Sequence, residues 1–83
     1  MTTAEMLDTM TEALVAVGFM VEPGRAHNEI VARRGRLKGA QVRAFAQSRT
    51  GEPEYHFSVS GHFWSRSGTV ERVVSYLTTT SEA

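Results

Sequence analysis

Residues 54–64 read Glu54-Tyr55-His56-Phe57-Ser58-Val59-Ser60-Gly61-His62-Phe63-Trp64. Tyr55, Phe57, Val59, Gly61 and Phe63 fall on one side of an extended chain, and Glu54, His56, Ser58, Ser60, His62 and Trp64 on the other. Strict alternation of this kind marks a strand in a sheet with one buried face. The apolar side needs a cover, and a chain of 83 residues has room for one small domain only, spanning 1–83.

Upstream, residues 40–48 alternate in the same way, with Val42, Ala44 and Ala46 opposite Gln41, Arg43, Phe45 and Gln47. Arg49-Thr50-Gly51-Glu52-Pro53 is the turn between the two strands. Asn28 to Ala32 reads as a further extended segment, and residues 33–39, with two glycines and four cations, as a hairpin loop. Residues 19–22 offer a short fourth strand that Pro23-Gly24 ends.

A helix is predicted at each end. Met6, Leu7, Met10, Leu14 and Val17 form one stripe over residues 3–17, opened by a Thr2/Glu5 capping box and stopped at Gly18. Val70, Val73, Val74 and Leu77 form the second stripe, with Ser67 as its N-cap and residues 78–83 as a frayed tail. The expected fold is α+β, in the order α-β-β-β-α. An antiparallel sheet of three strands, or four if residues 19–22 join, carries both helices on one face in a two-layer sandwich. The opposite face is left open, with Arg43, Phe45, His56, Ser58, Ser60, His62 and Trp64 on it.

Composition narrows the function. Cysteine is absent, which excludes disulfide scaffolds, cysteine-ligated zinc and cysteine nucleophiles. The N-terminus lacks the positive start and apolar run of a secretory leader. The longest apolar run, Ala13 to Val21, is far short of the roughly 20 residues a membrane helix needs. The expected location is the cytoplasm, with no membrane partner. No phosphate-binding glycine loop, dinucleotide fingerprint or carboxylate cluster occurs, so no cofactor and no metal site is expected.

Net charge is zero but unevenly placed. Residues 1–24 sum to −4, residues 25–49 to +6 and residues 50–83 to −2. The basic stretch holds Arg25, Arg33, Arg34, Arg36, Lys38, Arg43 and Arg49 against Glu29. Arginine grips phosphate and carboxylate through paired hydrogen bonds, so a flexible basic hairpin points to RNA or an acidic protein surface as partner. Phe45 and Trp64 on the open face are suited to stacking a base or anchoring a protein. His56 and His62, six residues apart on one strand, are ~20 Å apart and cannot share a metal. His27 stands in a loop beside Arg25, where a histidine could act as general base on an RNA 2′-hydroxyl.

Gly18-Phe19 after the first helix, His27 before an extended segment and Gly68-Thr69-Val70 opening the last helix resemble the HicA-type toxin ribonucleases. The element order also resembles the double-stranded-RNA-binding domain. The first resemblance implies His27 as the catalytic residue, although Ala26 stands where that family has Ser. The second implies RNA binding, although Arg66 and Ser67 stand where that domain has a lysine pair. The function expected from all this is a non-catalytic module that binds RNA through the basic hairpin, with Arg25, Arg33, Arg34, Arg36, Lys38, Arg43, Arg49, Phe45 and Trp64 as binding residues. The alternative is a protein-interaction module, such as a phage-encoded inhibitor or small regulatory subunit, using the open face for a partner or for a homodimer. A HicA-like ribonuclease using His27 is the second alternative.

Overall fold

The computed structural model describes residues 2–47, 51–59, 65–66 and 68–82. Arg49, the 60–64 part of the last predicted strand with His62 and Trp64, and the expected cap Ser67 lie outside them. Helix α1 spans Thr3–Ala16. The Thr2 hydroxyl accepts from the Glu5 N–H, and the Thr2 N–H donates to the Glu5 carboxylate at 2.9 Å. These bonds from Thr2 hold the Glu5 carboxyl below its usual pKa. At the other end Gly18 takes φ +93°, the Gly18 N–H donates to Val15 O and the Phe19 N–H to Leu14 O. This pair of bonds closes the helix as a Schellman motif and turns Phe19 back into the core.

Four strands follow as an antiparallel meander: β1 Met20–Pro23, β2 Glu29–Arg34, β3 Leu37–Phe45 and β4 Glu54–Val59. A two-residue β5, Ser65–Arg66, pairs with β4. Helix α2, Val70–Glu82, closes the order. The fold is thus α+β with two helices on one face of an antiparallel sheet, and the fourth strand expected at 19–22 is Met20–Pro23, with Pro23 paired to Ile30.

The registers show why one face is apolar. Ile30, Val42 and Phe57 are cross-strand neighbours, as are Ala32, Ala40 and Val59, and Ala44 and Tyr55. Nearly all are buried, against Met6, Met10 and Leu14 of α1 and Val73 and Leu77 of α2. Three alanines in this layer leave room for the helices to seat closely. The Tyr55 hydroxyl donates to Met6 O at 2.7 Å, joining β4 to α1, and burial pushes its pKa up.

Several details differ from expectation. The hairpin loop 33–39 is a two-residue turn, Gly35-Arg36, because Gly35 adopts φ +55° and lets the strands run to Arg34 and from Leu37. The register slips by one residue between Ala32 and Arg34, which places both Leu37 and Ala40 on the core face. At the start of α2 the Thr69 hydroxyl accepts from the Arg72 N–H, so Thr69 is the cap. The tail expected to fray is the last turn of α2, with Ser81 buried.

Truncating Phe57 to Ala should cost ~3–5 kcal/mol in urea unfolding, whereas Gln41→Ala on the opposite face should stay within ~0.5 kcal/mol. Equal costs would mean that the two faces are wrongly assigned. Tyr55→Phe should lose ~1 kcal/mol at neutral pH. A phenol whose pKa is raised by folding stabilises the chain below the unfolded value near ~10 and loses that contribution as pH rises through the folded value. Wild type should therefore lose its advantage over Tyr55→Phe in alkaline melts.

Candidate functional site

The uncovered face is organised around a row of side chains that the registers set side by side. Glu29 of β2 is paired with Arg43 of β3, and Arg43 with His56 of β4. Arg43 Nε lies 3.4 Å from Glu29 Oε1. His56 Nε2 lies 3.0 Å from Glu54 Oε1, two residues back on the same strand face. The Phe45 ring packs on His56 with centroids 4.6 Å apart and the rings tilted by 45°. A carboxylate-backed arginine and a carboxylate-backed histidine thus flank one aromatic ring. Met20, on the same face of β1, is 75% exposed.

The basic segment is distributed differently from its sequence. Arg33 forms an ion pair with Glu22 on β1, and its Nε donates to Lys38 O. Arg34 points to the helix side. Its guanidinium lies 5.7 Å from the Phe19 ring centroid, donates to Ser81 Oγ at 2.7 Å and lies 3.6 Å from a Glu82 carboxylate oxygen. Its positive charge therefore sits at the C-terminus of α2, where the helix dipole favours a cation. The Arg36 N–H reaches Ser81 O at 3.4 Å. The hairpin is therefore docked against α2 and is not a free finger. Arg25, Arg36 and Lys38 are exposed.

His27 and Arg25 lie in the turn between β1 and β2. The turn is pinned by Gly24 N–H to Glu29 O, Glu29 N–H to Ala26 O, and Asn28 Nδ2 to Ala44 O at 3.1 Å. His27 lines a groove against α1, together with Arg25, and also a shallow depression that includes Phe45. It is exposed, and among the described residues its ring takes part in no hydrogen bond or ion pair. Of the residues expected to bind, the structure brings Arg43 and Phe45 together, sets Arg33 and Lys38 farther along the same sheet, and turns Arg34 away. Trp64 and Arg49 lie outside the described residues.

Sequence reasoning missed two acids. Glu54 is the acid partner that His56 lacked, and its i, i+2 spacing on a strand was readable as a shared face. Glu29 was counted only as a charge. It is buried because Gly24 lies against its stem: a Cβ on Gly24 would come within 2.5 Å of Glu29 Cγ. Among the described residues no three His, Asp or Glu side chains gather to hold a metal ion, and no helix is long and apolar enough to cross a membrane. Comparison with known proteins supplies no relative: no family model matches the chain, and no curated protein or solved structure matches it.

Arg34→Ala should lower stability by ~1.5–3 kcal/mol, the range for charge-assisted hydrogen bonds, and speed amide exchange in the last turn of α2. Lys38→Ala should change stability by less than ~0.5 kcal/mol. A neutral Arg34→Ala would show that the docked hairpin does not hold the helix end.

Proposed function

We propose that the chain is a small non-catalytic module that binds another protein through the open face of its sheet. The observation that carries this reading is the pairing of the basic segment's cations with acids: Arg33 with Glu22 and Arg34 with Glu82 from outside the segment, and Arg43 with Glu29 inside it. These pairs reduce the charge surplus a polyanion would meet. They leave a face of mixed charge around Phe45, with Met20 at its margin, which is the make-up of a protein interface with an aromatic centre and a polar rim.

The β1 edge of the sheet supports a face rather than an edge as the docking surface. At one edge of the sheet β1 is four residues long and ends in Pro23. A short edge strand with a proline resists the addition of a further strand. A regulatory subunit or a phage-encoded inhibitor is the kind of protein this arrangement suits, and a second copy of the chain is the simplest partner. The absence of cysteine supports action in a reducing cytoplasm.

RNA binding is the second reading, favoured by exposed Arg25, Arg36 and Lys38. The ribonuclease reading stays attached to His27, which has an arginine neighbour but no acid partner among the described residues.

The two main readings separate in one experiment. The tagged chain is used to recover its partner from the native host with and without nuclease, over a range of salt. A protein partner should survive nuclease and added salt, and Phe45→Ala should weaken it by about 30-fold, the effect of losing an interface hot spot near 2 kcal/mol. Replacing Arg36 and Lys38 by Ser should then matter little. Binding that disappears with nuclease, falls steeply with salt and is lost in the Arg36/Lys38 variant would instead establish a polyanion partner.

A further inference from the structure

We draw no further inference here: the strongest candidate, the open apolar groove that Leu7, Val21, Pro23 and Ile30 line between α1 and the turn joining β1 to β2, has charges of both signs along it in Asp8 and Arg25, and nothing in the structure shows what covers it.

Discussion

An 83-residue chain with two helices can cover one face of a four-stranded sheet and no more. Everything else in this molecule follows from that one-sided burial. The alternation of β3 and β4 must present its apolar set to the helices, because a slip of one residue would turn that set to water. Small residues at Ala32, Ala40 and Ala44 bring the helices close, while Phe57 and Tyr55 fill the space toward α1 and α2. The opposite face carries the polar residues of the sheet, with Glu29 and Ser58 buried on it, and it is there that Arg43, His56, Glu54 and Phe45 meet.

The same economy explains how charge is used. Along the chain the acids and bases are segregated, and a linear view finds a strongly basic middle. Folding brings β1 and the end of α2 against that middle, so its arginines meet acids from both flanks. Arg34 shows the consequence most clearly. It closes the joint between Phe19, the β2–β3 turn and the last turn of α2, and its charge is spent on architecture. Arg43 instead keeps its guanidinium on the open face, paired with the buried Glu29 carboxylate. A fixed arginine beside an aromatic ring is pre-organised for recognition, since little side-chain freedom remains to be lost on binding.

Much of this was legible in the residues. The capping box at Thr2 and Glu5, the stop at Gly18, the two apolar stripes and the alternation at 40–47 and 54–59 each rest on local geometry, which depends only on neighbours in sequence. The division of the sheet into a covered and an open face, with Arg43, Phe45 and His56 on the open one, follows from the period of two. Less was legible at the hairpin. Gly35 and Gly39 with four cations read as a loose loop, but a single glycine at positive φ suffices for a two-residue turn, and the strands extend to meet it. The tail past Thr78 reads as polar and free, because nothing local shows that Ser81 will find a buried position against that turn.

The sequence by itself determined the elements and which side of each is apolar, because helix and strand periods are properties of the backbone and need no partner. Only the tertiary structure decided which charges remain available and which acid stands behind which base. Glu22 with Arg33, Glu82 with Arg34 and the buried Glu29 with Arg43 are contacts across strands or between distant elements. Their strength is set by distance and burial, which no spacing along the chain records.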